Sequence, residues 1–396
     1  MIAEVIRVFI DARLQGALVP DIVHLEVEED LEQAAAFRLQ LAITARNDGS
    51  WTYVDDPLFQ VWRRFTVEAG YVGAPETLIE GYITHVELMI GADGEPYLEL
   101  SGMDMSAAMD LADKQLAWPN KKDHEIAQEL FSSYGLSYEV EDTVATPGQA
   151  VATPLQTETD IRFLRRLAAR NGFECHVRGN TGYFRSPNLQ EPPQKTLAID
   201  FGRETNLAEI RIRVDGTPGT VAEMRRVDPV AKQVERERLQ ASPRRTLGRR
   251  PLAELRSGLP QGQRLLRREL AASPAEMRGR LRQAYEGASR FVTAEGEIDG
   301  RVYRAVLRAR RLVTIKGIGE TYSGFYYVTR VRHSFTIHGY TQRFEAYRNG
   351  LGLTGDERFA AAALPIALAS GLVSLSRVSG DRVLPAQQTS LTNAGA

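Results

Sequence analysis

Two stretches of the chain repeat one pattern. FTVEAGYVGAPETLIEGYITHVELMIGADGEPYLEL, from Phe65, lies beside LVTIKGIGETYSGFYYVTRVRHSFTIHGYTQRFEA, from Leu312. Gly70 and Gly73 then match Gly317 and Gly319, Thr84 and Val86 match Thr329 and Val331, and Tyr97 matches Tyr340. The offset stays near 245 residues. Each copy reads as a strand, a glycine turn, an aromatic-rich strand carrying Thr-x-Val, a second turn and a closing strand. Two related β-barrels in one chain are therefore expected. Three such chains would close a ring of six similar wedges with exact threefold symmetry, and closure hides sheet edges that otherwise invite aggregation.

A length of 396 residues allows two to three domains. Charged residues at 25% and hydrophobic residues at 43% are a globular mix. With 49 basic against 51 acidic side chains, the formal charge of −2 argues against a wholesale nucleic-acid coat, so any electrostatic partner is read by a local patch. The lone cysteine, Cys175, rules out an intrachain disulfide framework and thiolate metal cages. The first residues, MIAEVIRVFIDARLQG, read as a strand and not as a secretory signal, because Glu4 interrupts the apolar stretch and no basic region precedes it. From Phe359 to Ser376 no charge occurs, but Pro365, Ser370, Gly371 and Ser374 interrupt the run, and no membrane span is expected.

Along the first hundred residues, Val23, Leu25 and Val27 alternate with His24, Glu26 and Glu28, and Phe37, Leu39, Leu41 and Ile43 alternate with polar neighbours, as in strands with one buried face. The period changes after Gly102. In DHEIAQELFSSYGL, Asp123 is expected to cap a helix whose Ile126, Leu130, Phe131 and Tyr134 share a face, with Gly135 as its left-handed stop. A second helix in TETDIRFLRRLAARNGFE puts Ile161, Leu164, Leu167 and Ala168 on one side and ends at Asn171-Gly172. Phe173, Cys175 and Val177, a turn at Gly179-Asn180-Thr181-Gly182, and Tyr183-Phe184 form a predicted hairpin. Residues Pro187 to Pro193 read as a linker, after which strand-like runs resume at Thr196 to Phe201 and Leu207 to Val214. An arginine-rich region from about Arg225 to Arg290 is expected on helices and loops, with a capping box at Ser273-Pro274-Ala275-Glu276 that starts a helix burying Leu281, Tyr285 and Ala288. From Phe291 to Tyr347 the chain is β-rich again, with a tight His338-Gly339 turn.

The expected fold is thus mainly β with an α+β insertion. A first tube-like barrel covers 1–105, a small α+β domain 106–190, and a second barrel 191–350, the last with an Arg-rich helical insertion at about 225–290. A tail, 351–396, closes the chain.

Catalytic signals are poor. His24, His85, His124, His176, His333 and His338 form neither an H-x-x-x-H pair nor an H-E-x-x-H motif. His333 and His338, on opposite arms of a predicted hairpin, are assigned to packing or hydrogen bonding. Cys175 and His176 are neighbours on a strand and face opposite ways, which spoils a Cys-His nucleophile. Gly317-Ile318-Gly319 with Gly324 lacks the Gly-Lys-Ser/Thr of a phosphate loop and precedes strand-like sequence, so these glycines are read as turn formers. Acid pairs such as Glu28-Glu29 and Asp55-Asp56 single out no glycosidase site. No catalytic, cofactor-binding or metal residue is therefore assigned. The arginines of 225–290 suit a phosphate surface or a subunit interface, and with Tyr285 as the sole aromatic there the interface is favoured.

The runs ETDIRFLRRLAARNGFECHVRGNTGYFRSP, FVTAEGEIDGRVYRAVLRARRLVTIKGIG and SGFYYVTRVRHSFTIHGYTQRFEAYRNG together resemble the phage late control D family. That family includes the hub portion of VgrG proteins and the hubs of contractile injection systems, and the resemblance covers roughly residues 1–350. It implies a homotrimeric, non-enzymatic baseplate hub whose barrels continue the sixfold inner tube and whose other face seats a threefold spike. Implied partners are the inner tube protein, a spike protein and other baseplate subunits, without nucleic acid, integral membrane or cofactor. Assembly in the cytoplasm into a phage tail or injection particle follows from the same resemblance. Fused VgrG chains continue into a spike, whereas about 46 alanine-rich residues follow Gly350 here, so a separate spike chain docked by the tail is expected. The rival from another class is a cell-wall-directed hydrolase or glycan-binding module of the same apparatus.

Overall fold

The computed structural model describes residues 4–357 and 359, apart from 72–73, 92–94, 144–152, 229–230, 243, 261 and 267–273. Gly73, Ser273 and the tail beyond Phe359, which contain parts of the expected repeat, capping box and spike-docking segment, lie outside these residues.

Alternating sequence produces two sets of six strands. The first set is β1 (Glu4–Ile10), β2 (Ile22–Asp30), β3 (Ala36–Ala42), β4 (Arg64–Tyr71), β5 (Ala74–Met89) and β6 (Tyr97–Asp104). An insertion follows, with α1 (Asp123–Ser133), β7 (Ser137–Val140), α2 (Asp160–Asn171), β8 (Glu174–Arg178) and β9 (Thr181–Arg185). The second set begins with β10 (Gln194–Ala198) and β11 (Leu207–Val214). A lobe of β12 (Val221–Val227), β13 (Val234–Leu239), β14 (Gln263–Leu266) and α3 (Pro274–Ser289) then interrupts it. The set resumes with β15 (Val292–Asp299), β16 (Leu312–Lys316), β17 (Gly324–Thr336) and β18 (Gly339–Arg348).

Across the sheet the first set lies in the order β1-β4-β5-β6-β3-β2 and the second in the order β10-β16-β17-β18-β15-β11. Taken in chain order, each strand of one set has a counterpart at the same place in the other. The sets differ at their first strand, since β1 runs antiparallel to β4 but β10 parallel to β16. The closed barrels expected from the sequence do not form among the described residues: the strands lie in one open sheet that continues from the first set to the second through β2 and β17 and branches at β17, where β16 and β10 leave the main path.

The repeat extends to irregularities. Register slips at Thr84, between Ile83 and His85, and at Thr329, between Val328 and Arg330. Both hydroxyls donate to a carbonyl on the next strand, Thr84 to Ser101 at 3.4 Å and Thr329 to Glu345 at 3.1 Å. Such a bulge re-aims the strand and resists loss. A second repeated slip falls at Val23 and Ala208, and it turns Val23 outward to 44% exposure while Leu25 and Val27 stay buried. Trp62 and Arg310, just before β4 and β16, both adopt left-handed backbones with φ of 66° and 62°. Tyr97 and Tyr340, however, are not equivalent. Tyr97 pairs with Met89, five places past Thr84, whereas Ser334, five past Thr329, pairs with Thr341. A shift of one residue exchanges faces, so Tyr340 is buried while the Tyr97 hydroxyl reaches Glu87 at 3.2 Å.

Each set has its own apolar core, the first around Leu39, Phe65 and Leu100, the second around Val292, Tyr326 and Phe344. The insertion packs Phe131, Phe163, Leu164 and Phe184. Asp123 does not cap α1: Lys122 holds that position, and Asp123 sits buried in the first turn, gripping Arg170 and accepting from Asn171 at 2.6 Å. Gly172 ends α2 at φ 69°, as its position in the sequence requires. In the lobe, three strands that the sequence did not suggest pack with the expected helix, which runs from Pro274, and a short helical turn spans Leu252–Leu255; Met224, Met277 and Leu281 lie between the strands and the long helix. The lobe fills the connection from β11 to β15, where the first set has the short turn from β2 to β3. No helix among the described residues is long and apolar enough to cross a membrane.

Candidate assembly interface

The strands β2 and β17 join the two sets, with Asp30 opposite Arg330, Glu28 opposite Arg332 and Val27 opposite His333. On the outer face the carboxylates of β2 meet guanidinium groups of β17: Arg330 lies 2.8 Å from Asp30 and Arg332 lies 2.7 Å from Glu28. On the inner face Leu25, Val27, Val331, His333 and Phe335 are buried, and the His333 Nδ1 lies 2.8 Å from the Tyr340 hydroxyl.

Behind the junction sits a buried ion pair. Arg308 Nη1 approaches Glu29 at 2.6 Å, the Ala309 N–H donates to the same carboxylate at 2.9 Å, and Arg308 also donates to the carbonyls of Thr77 and Leu78. Burial pushes the Glu29 carboxyl up, but the Arg308 guanidinium, aided by His333, Arg178 and the Ala309 N–H, outweighs it and leaves the group below its ordinary value. Tyr71 adds a 2.6 Å bond from its hydroxyl to the Gly300 carbonyl, another link between the sets.

The counterparts of these joined edges are open. Beyond Tyr82 the β4 side of β5 has no strand partner among the described residues, and β11 ends the sheet on its outer side. Positions that are buried at the junction are exposed at these edges. Val86 (38%), Leu88 (44%) and Ile90 (46%) take the places of Val331, His333 and Phe335, and Val61 and Trp62 lie exposed nearby. An apolar row beside an unpaired backbone edge is a template for another strand.

Other candidates resolve into structure. His333 faces Gln342 across the hairpin and His338 lies in the turn, so the two do not meet as opposite arms. Among the described residues no cluster of acids, histidines or cysteine could hold a metal. Cys175 packs in the insertion core, where burial pushes its thiol up to about 12, while His176 turns the other way and stacks on Tyr183 at 4.7 Å. Gly317 has φ 90°, and a Cβ there would strike the Ile199 carbonyl at 1.9 Å, which accounts for the glycine; a four-residue helix, not a strand, follows.

Many of the lobe arginines are matched by acids. Arg225 and Arg236 bind the buried Glu223 at 2.8 and 2.5 Å, Arg226 binds Glu235 at 2.5 Å, Arg278 binds Glu237 at 3.0 Å, and Arg244 pairs with Glu286. Guanidinium groups already paired have little left for phosphates. The chain is expected to show no micromolar affinity for duplex DNA at physiological salt; tight binding with a steep salt dependence would overturn the structural assignment of this lobe.

Sequence reasoning missed Arg308 and Glu29. Nothing in the run Arg308-Ala309-Arg310-Arg311 separates the fully buried arginine from the half-buried Arg310 and Arg311.

The fold is shared with solved structures of tail proteins. The 43 kDa tail protein of prophage MuSo2 from Shewanella oneidensis superposes with a TM-score of 0.66 at 14% identity, over 88% of this chain and 99% of that one. A tail protein from Neisseria meningitidis gives 0.59 at 13% identity, over 88% and 97%. The E. coli c3393 protein, a type VI secretion component with structural similarity to T4 tail proteins gp27 and gp5, gives 0.50 at 11%, over 87% and 76%. No curated protein matches by sequence. One family model, described as the Alg8 N-terminal domain, matches residues 8–336, and its name differs from the one the sequence runs suggested.

Proposed function

We propose that the chain, which belongs to the Alg8 N-terminal domain family, is a structural hub of a phage tail or contractile injection baseplate, of the late control D or VgrG type. Three copies form a ring that presents six similar strand sets to a sixfold inner tube and a threefold face to a spike. The observation that carries this is the pair of strand sets with one order, joined by β2 and β17 while the corresponding edges of β5 and β11 stay open. A chain with two equivalent sectors needs three copies to present six. Such a hub works through rigid, largely apolar contacts held through contraction, and no chemical step is required of it. The inner tube protein, a separate spike and other baseplate subunits are its partners under this proposal.

Light scattering of the purified chain at tens of micromolar is the direct test. The expected species is about 132 kDa, three times 44.1 kDa, with no peptidoglycan degradation. A 44.1 kDa monomer that degrades peptidoglycan would replace the hub with a cell-wall hydrolase.

A further inference from the structure

We infer that β11 of one copy adds antiparallel to the open edge of β5 in the next, and that reversed charge at this junction sorts it from the junction inside the chain. The inference rests on the ring proposed above and goes further by assigning strands, register and the side chains that choose between them.

The internal junction supplies the register. Matching the bulges at Thr84 and Thr329 places His85, Val86, Glu87 and Leu88 where β17 has Arg330, Val331, Arg332 and His333. Matching the slips at Val23 and Ala208 places Ile210 to Asp215 where β2 has Leu25 to Asp30. Carrying the β2–β17 pairing across sets Val214 opposite Val86, Arg213 opposite Glu87, and Ile212 opposite Leu88, with Asp215 opposite His85. The apolar faces then meet, and the exposed Val86, Leu88 and Val214 gain the cover that Val331 and His333 already have.

The charges at the place of Glu28 and Arg332 favour this arrangement. Within the chain, acids on β2 face arginines on β17, as Glu28 does with Arg332. At the open edges the signs at this position are exchanged, with Arg213 on β11 and Glu87 on β5, while Asp215 keeps the acid of Asp30; neither Arg211 nor Arg213 has an ion-pair partner among the described residues. The two wrong pairings are penalised. A β2 strand on the β5 edge would put Glu28 against Glu87, and a β11 strand on β17 would put Arg213 against Arg332, and like charges directly opposite destabilise a strand pair. Two similar edges in one chain would otherwise exchange partners, giving swapped or open-ended assemblies in place of a closed ring.

Cysteines at Val86 and Val214 in one chain test the register, with Val86→Cys/Ile210→Cys as the shifted control and Cys175→Ser as background. Mild oxidation is expected to give covalent dimer and trimer, and nothing larger, from the first pair and not from the second. Charge reversal tests the sorting. Glu87→Arg and Arg213→Glu are each expected to weaken the trimer about a hundredfold, compounded over three junctions, and the two together are expected to restore it. A trimer by mass whose cysteines link only in the shifted pair, or whose double reversal fails to recover, overturns this inference and leaves the ring standing. A chain that stays monomeric while folded overturns both.

Discussion

Replacing Arg308 with methionine is expected to cost about 3–5 kcal/mol of folding stability, because it strands the Glu29 carboxylate in the interior without its counter-charge. Both groups are buried, and the pair lies where the first strand set meets the second. The double variant Arg308→Met/Glu29→Gln is expected to recover most of the loss, since the glutamine oxygen still accepts the Ala309 N–H and no charge remains to be solvated. The sign with pH is specific. In the native chain the lowered Glu29 pKa contributes stability above the unfolded carboxyl's pKa and loses it as pH falls through the lower folded value. In the single variant burial has lost its main opponent, so the carboxyl moves up and the deficit shrinks as pH falls. Denaturant titrations at neutral and acid pH measure this, and a constant deficit would remove the ion pair as its cause.

The chain is expected to lose stability steeply with acid before its carboxylates protonate. Burial pushes His333 down to about 3 from an ordinary 6.5, with Glu29 favouring the charged form and Arg308 opposing it. Between those values the unfolded chain takes up a proton that the folded chain refuses, so stability falls as pH drops from about 6.5 toward 3, by up to about 1.4 kcal/mol per pH unit. His176, pushed well below its ordinary value by burial and by Arg310, adds to the slope. His333→Gln keeps a hydrogen-bonding partner for the Tyr340 hydroxyl. The variant is expected to be about 1 kcal/mol less stable at neutral pH and to match or exceed the native chain near pH 4. Parallel stability curves for the two proteins would exclude His333 as the acid-sensitive group.

Local signals carried well where the pattern was short-range. The Thr-x-Val match marked two bulges with the same hydroxyl bond, and Gly172 stopped α2 where a left-handed residue was needed. Errors arose where one residue of slip changes a face. Val23 fits the alternation but follows the bulge outward, and Tyr340 lies one place from its match with Tyr97. Asp123 has the chemistry of a cap, yet the chance to pair with Arg170 and Asn171 draws it inside. The helix of the lobe was legible from its start at Pro274, but its strands were missed because they are short and charged, with alternation such as Val234-Glu235-Arg236-Glu237 that lacks an apolar face to betray the period.

Period-two patterning and glycine turns by themselves determined that this chain makes two similar runs of strands about 245 residues apart, because both signals act on neighbouring residues. Only the tertiary structure decided that β2 lies on β17 and that Arg308 turns inward to Glu29. It also decided that Arg348 is buried, donating to the carbonyls of Tyr322, Ser323, Leu247 and Gly352 and so tying the base of the lobe to the sheet. Those outcomes depend on which backbone edges and polar groups remain unsatisfied once each set has formed, a condition set by groups hundreds of residues away in the chain.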